Sequence, residues 1–272
     1  MTIGMSIGAA VLGLAALSFA SVAQADQLSD IKAAGKIVTA TDMHYTPFDM
    51  LNNGTYEGMT KDLFDEVSKE IGATPVYQDI PWTAELPGLE VKKFDIVIAP
   101  VTITPERLGR YAFSLPIADA TVALVKATNN ATLVKPEDIK GKTVGVQQGT
   151  AQYDQLKAFG AKIGGVTIKE YGTTDEAYAD LAVGRLDAVA GSLPNLAYLV
   201  KTRPDNFAMF TPAQFGEAKY FAWVIRKDPD SASFVKAVND ALLKMTKDGR
   251  IEAIQKKWFG SYTALPLEVP TK

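Results

Sequence analysis

Cysteine is absent from the 272-residue chain, which excludes disulfides, thiol nucleophiles, cysteine-ligated metals and a lipid-modified N-terminal cysteine. Histidine occurs once, as His44. A metal centre is therefore not expected, and no Ser–His–Asp arrangement with a partnered serine can be assembled. Charge is not dominated by one sign: 28 Lys and Arg stand against 31 Asp and Glu, for a net charge of −3. The chain has no dense basic block, which argues against nucleic acid or a polybasic membrane patch. Hydrophobic content of 47% beside 22% charged residues is that of a globular protein with an ample core.

Long apolar runs are confined to the N-terminus. The first 25 residues, MTIGMSIGAAVLGLAALSFASVAQA, carry no charged side chain and end in Ala23-Gln24-Ala25. This pattern reads as a secretory signal over 1–25 with small residues at the cleavage site, so that the mature chain starts at Asp26. No Lys or Arg precedes the apolar core, and an uncleaved anchor is the competing reading.

From Lys36 onward, short apolar strands alternate with amphipathic helices, the pattern of an α/β fold. KIVTAT, TPVYQDI and FDIVIAP read as strands. MTKDLFDEVSKEIG reads as a helix closing at Gly72, and TAELPGLEVKK as a short helix broken near Pro87. After an extended ATVALVKA, the alternation restarts at KTVGVQQGT. LPGLEVKKFDIVIAP and YADLAVGRLDAVAGS echo one another, as do KIVTATDMHYTPF and KTVGVQQGTAQY. Two similar lobes follow from this, one from 26–122 with 220–272 and the other from 123–219, joined by two crossing strands. The helices of SASFVKAVNDALLKMTKDGRIEAIQKKWFG, broken at Asp248-Gly249, are expected to pack back on the first lobe.

Three stretches carry chemistry. Thr104-Pro105-Glu106 has the residue preferences of a helix start, at the carboxyl end of a strand, with Thr102 and Arg107 beside it. The Arg107 fork matches a carboxylate, although residue type alone leaves open a surface ion pair. Gly149-Thr150 lies between a strand and a helix, where free N–H groups can meet an anion. Tyr45 and Trp82 lie in loops after strands and can line a cleft or simply pack.

TPFDM with NGTYEGMTKDLFDEVSKEIG, VTITPERLGRYAFSLP, GKTVGVQQGT, AVGRLDAV and LLKMTKDGRIEAIQKKWFG occur in order at a spacing that resembles the periplasmic solute-binding proteins of polar amino-acid ABC importers (solute-binding family 3). The resemblance implies a type II periplasmic-binding-protein clamshell whose two lobes are joined by two hinge strands. It implies that Arg107 and Thr102 hold a ligand α-carboxylate, met from the other lobe by the Thr150 N–H in the Gly149 turn. It also places Tyr45 over the ligand side chain, Asp42 at an acidic position and Trp82 at the pocket wall. Three positions depart from the family pattern. Pro100 replaces a small residue and removes an N–H, Ile117 stands where an aromatic is common, and Ser192 stands where an Asp usually meets the α-ammonium. Either another acid, Asp42 or Glu217, takes that role or the ligand has no ammonium.

The expected function is therefore the periplasmic binding component of an ABC importer. It would act as a monomer without cofactor or catalytic residue, closing on an amino acid or related small carboxylate and delivering it to an inner-membrane permease. The alternative is an exported cyclohexadienyl or arogenate dehydratase-like enzyme of the same fold.

Overall fold

The computed structural model describes Met1 and residues 26–271; the signal expected over 1–25 lies outside the described residues. Among those residues, no helix is long and apolar enough to cross a membrane. Two sheets organise the chain. The first runs in the order Thr74–Asp79, Lys36–Thr41, Ile96–Thr102, Tyr220–Arg226, Tyr111–Phe113, with Ala118–Asp119 also paired to Tyr220–Arg226. The second runs Thr167–Tyr171, Thr143–Gln147, Ala188–Ser192, Val122–Ala127, Phe207–Gln214. In each, three parallel strands adjoin an antiparallel fourth.

The inner strands of each sheet are buried on both faces, which is why they read as near-continuous apolar runs, while the edge strands Thr74–Asp79 and Thr167–Tyr171 keep exposed residues. Side chains of Ile96–Thr102 alternate between two cores: Ile96 and Ile98 enter one, Val97, Ala99 and Val101 the other. Phe221, Trp223 and Ile225 likewise part from Ala222 and Val224. The second sheet separates Val122 and Leu124 from Ala123 and Val125.

The helix Met59–Ile71 lays Leu63, Phe64 and Val67, all fully buried, on the first sheet and stops at left-handed Gly72. Burial of each such side chain stabilises by about 1.5–3 kcal/mol. The helices Ala232–Lys247 and Arg250–Phe259 pack into the same core. Arg250 bridges to Glu66 and Glu70, and Asp62 accepts from Lys257 and from the Trp258 indole.

The sequence echo has a structural cause. Its first members are the leading strands Lys36–Thr41 and Thr143–Gln147, and its second members lead into the strands beside them, Ile96–Thr102 and Ala188–Ser192. The shared Asp ties the pair together at the same point in both lobes. Asp95 accepts from the Val38 N–H at 2.8 Å, and Asp187 from the Thr143 N–H at 2.8 Å.

Two readings are corrected. The helix Trp82–Glu90 runs through Pro87 without breaking. The proline removes one donor, and the adjacent Gly88 lets the Phe94 ring pack where a Cβ would meet it at 2.7 Å. The strand read as ending at Pro100 continues to Thr102. Pairing with Lys36–Thr41 stops at Val97, and pairing with Tyr220–Arg226 shifts register between Ala222 and Val224. The missing N–H of Pro100 thus falls where the ladder is already interrupted.

The chain passes between the two sheets at Ala120–Thr121 and at 215–219, where Asp119 accepts from the Thr121 N–H and hydroxyl and Ala120 donates to the Lys219 carbonyl. A small antiparallel meander, His44–Tyr45, Asp49–Asn52 and Thr55–Glu57, follows the first strand. It turns at Asn53-Gly54, both at positive φ, the conformation Asn-Gly favours in a tight hairpin.

Gly58 enters the next helix at φ 147, and a Cβ there would stand 2.0 Å from the Phe48 carbonyl oxygen. Gly58→Ala is expected to destabilise by about 2–4 kcal/mol, read as a lowered urea midpoint at constant m. An unchanged midpoint would show that the 47–49 loop yields freely.

Candidate functional site

The carboxyl ends of the parallel strands in the two sheets face each other across a cleft. On one side, Thr104 caps the helix Pro105–Arg110, accepting from the Arg107 N–H at 3.3 Å, and so directs the arginine into the seam. The half-buried guanidinium donates to the Thr102 carbonyl at 3.2 Å and, across the cleft, to the Gly149 carbonyl at 3.2 Å. It lies over the Trp82 indole at 5.3 Å, and that indole reaches Gly149, at φ 68. Among the described residues, Arg107 makes no ion pair. Burial lowers its pKa, opposed by the charges of Asp154 and Glu106.

On the other side, Thr150 caps the helix Ala151–Ile163. Its hydroxyl donates to the Gln147 carbonyl at 2.8 Å and accepts from the Tyr153 N–H at 3.2 Å. With that hydroxyl engaged in its own loop, the N–H groups of Thr150, Ala151 and Gln152, which line the cleft, have no backbone partner among the described residues.

Deeper in, Gln147 donates to Asp42 at 3.0 Å and to the Gly172 carbonyl at 3.1 Å. Two further bonds cross to the loop that follows Asp42: Thr174 donates to the His44 carbonyl at 3.2 Å and Asn195 to the Thr46 carbonyl at 2.8 Å. Asp42, Tyr45, Trp82, Ala99, Pro100, Thr102, Arg107, Gln147, Thr150, Ala151, Gln152 and Phe221 enclose a space of about 30 Å³, room for a water molecule or two. An organic solute can enter only as the lobes part.

A profile of bacterial extracellular solute-binding proteins, family 3, matches residues 37–261. The chain belongs to that family. This family 3 protein is 33% identical over 254 residues to an L-cystine-binding protein, TcyJ, of Escherichia coli, covering 93% of each chain. It superposes with TM-score 0.80 on an ABC uptake transporter substrate-binding protein from Streptococcus pneumoniae with bound histidine, at 26% identity, covering 87% of this chain and 97% of that one. An ancestral amino-acid-binding protein described as a precursor of cyclohexadienyl dehydratase gives TM-score 0.78 at 31% identity, covering 86% of this chain and all of that one.

Of the residues singled out from sequence, Asp42, Tyr45, Trp82, Pro100, Thr102, Arg107 and Thr150 line one space. Gly149 is not among them and lines a neighbouring cavity with Trp82, Arg107 and Ala151. Ser192 is fully buried outside the lining and hydrogen-bonded to Asn195. Glu217 lies on the exposed crossing segment, paired with Lys219 at 2.8 Å. Ile117 is fully buried in the core. The half-buried Tyr45 ring packs against Phe48 and Phe221, and burial raises its pKa, offset in part by Ser192.

Sequence reasoning missed Gln147 and Gln152. It also missed two buried acids behind Asp42. Glu85 is fully buried with neither oxygen bonded, and burial followed by the charges of Asp42 and Asp49 pushes its carboxyl well above the usual range. Asp49, also fully buried, accepts from the Tyr56 hydroxyl at 2.5 Å, and burial pushes it up to about 8. Burial raises Asp42 as well, moderated by Gln147 and the His44 N–H. An acid at position 85, within an otherwise apolar stretch, was the signal in sequence for this layer.

With Asp49 pushed up to about 8, the folded chain keeps a proton that the unfolded chain releases near pH 4. Stability then falls as pH rises between those values, by up to about 1.4 kcal/mol per pH unit, and levels off above them. Asp49→Asn should therefore flatten urea-derived stability between about pH 5 and about pH 8 relative to the parent. Parallel profiles would mean that Asp49 is ionised throughout.

Proposed function

We propose that this family 3 protein is the periplasmic binding component of an ABC importer, and that it closes its two lobes on an amino acid. The observation that carries this is Arg107, a half-buried guanidinium in the interlobe seam, held by one carbonyl from each side and by no acid. A desolvated cation of this kind calls for an anion, and its planar fork suits a carboxylate. The Thr102 hydroxyl and the Thr150 N–H are the accompanying donors. Asp42, the acid lining the same space, is the group we assign to the ligand ammonium, since Ser192 is turned to Asn195 and Glu217 to Lys219.

Lobe limits of 26–122 with 220–272 and 123–219 suit this reading. They fall within a few residues of the crossings beside Asp119 and Lys219, Val122 being already paired to Ser192 of the second sheet. The solute favours closure because only the shut form contacts it from both lobes. Relatives named as periplasmic amino-acid-binding proteins support the compartment and the solute class.

Calorimetric titration with a panel of α-amino acids tests the reading. Arg107→Ala should weaken the best ligand at least about a hundredfold, equivalent to about 2.7 kcal/mol, and Arg107→Lys should restore only part of it because a point charge replaces a fork. Unchanged affinity in Arg107→Ala would remove this site. The enzyme alternative is addressed by the same preparation: prephenate and arogenate should yield no aromatic product, and turnover would replace transport by catalysis as the conclusion.

A further inference from the structure

Gln152 is 4% exposed, lines the interlobe space, and its amide nitrogen has no hydrogen-bond partner among the described residues. Buried amide donors are rarely left unmade, because an unpaired one carries its full desolvation penalty. The ligand carboxylate is not the natural partner. Its two oxygens accept about four hydrogen bonds, and two from the Arg107 fork, one from the Thr102 hydroxyl and one from the Thr150 N–H fill them. Gln147 has used both amide protons on Asp42 and Gly172, so only its oxygen remains for a ligand. Charge narrows the class further. The lining carries one guanidinium and one carboxylate, Arg107 and Asp42, while Glu85 and Asp49 lie behind the wall and outside the lining.

We infer that Gln152 is a specificity-determining residue whose side-chain amide donates to a second acceptor on the ligand, and that the solute is a zwitterion of net charge zero with a polar, acceptor-bearing side chain rather than a cationic amino acid. This rests on the amino-acid reading above and narrows it. A cationic side chain would find no second ionised carboxylate in the lining. A purely aliphatic one would leave the Gln152 amide unpaired in the closed cleft.

The test is calorimetry on the full mature chain with glutamine, asparagine, cystine, norvaline, arginine and lysine, against the parent, Gln152→Met and Gln152→Glu. Thermal midpoints show that each variant is folded. At least one of glutamine, asparagine and cystine should bind the parent at least about tenfold more tightly than norvaline, arginine or lysine. Gln152→Met, which keeps the volume and loses the donor, should weaken that ligand at least about tenfold while leaving norvaline within about threefold. Gln152→Glu, which keeps only acceptors, should lose as much.

Tightest binding of arginine or lysine overturns the inference, as does tightest binding of norvaline. Gln152 variants that hold the polar ligand as well as the parent also overturn it. If the parent binds none of the six, the amino-acid reading itself fails and takes the inference with it. That failure is told apart because it appears before any Gln152 substitution.

Discussion

A guanidinium without an acid governs this structure. Arg107 is drawn partly out of water, and a charge so placed is costly unless it is paired. What it has are two carbonyl oxygens, Thr102 from its own strand and Gly149 from the opposite lobe, and the face of Trp82. These neutral contacts orient the fork without neutralising it. Several local features serve that placement: the Thr104 cap aims the first helical turn, the strand end supplies Thr102, and the left-handed Gly149 brings its carbonyl close while leaving room for the indole.

The same geometry explains why the cleft can act as a trap. Arg107 to Gly149, Gln147 to Asp42, Thr174 to His44 and Asn195 to Thr46 are four hydrogen bonds between lobes. Three of them grip the short loop after the first strand, so the 42–46 loop is the part of one lobe that the other holds most closely. Each bond is worth little net against water, about 0.5–1.5 kcal/mol, so closure and opening are finely balanced. A solute bound at Arg107 that also reaches the donors of the opposite lobe would add contacts found only in the shut form, and a few kcal/mol suffices to move the population.

Much of the fold was legible because its causes are local. Alternation along Ile96–Thr102, the Gly72 stop, the Gly249 break and the Thr104 cap are written in residues a few positions apart. The duplicated Asp before an apolar strand was visible as an echo, and Asp95 and Asp187 show the bond that accounts for it. Pro87 and Pro100 misled because the helix Trp82–Glu90 continues despite the donor that Pro87 removes, and the ladder is already interrupted at Pro100. The depth of the site was not legible. Asp42 and Gln147 are 105 positions apart, and nothing in either neighbourhood announces the other. Ser192 was read as standing where the family's Asp meets the ligand ammonium, and its hydroxyl is bonded to Asn195, three residues on.

The repeated architecture also divides the chemistry unequally. Both lobes present the ends of parallel strands and the start of a helix to the seam, so either could in principle carry the charge. The first lobe holds both ionic groups that line the space, Arg107 and Asp42, together with the aromatic wall of Tyr45, Trp82 and Phe221. The second contributes neutral donors and acceptors, Thr150, Gln147 and Gln152. On the proposed reading, the electrostatic pairing with a zwitterion would form on one lobe alone, before closure. The arriving lobe then has to match hydrogen bonds rather than charges, and an unmatched amide is penalised only once water has been squeezed out. If that reading holds, capture by charge on one side and discrimination by neutral groups on the other follow from where the polar residues fall on two copies of one topology.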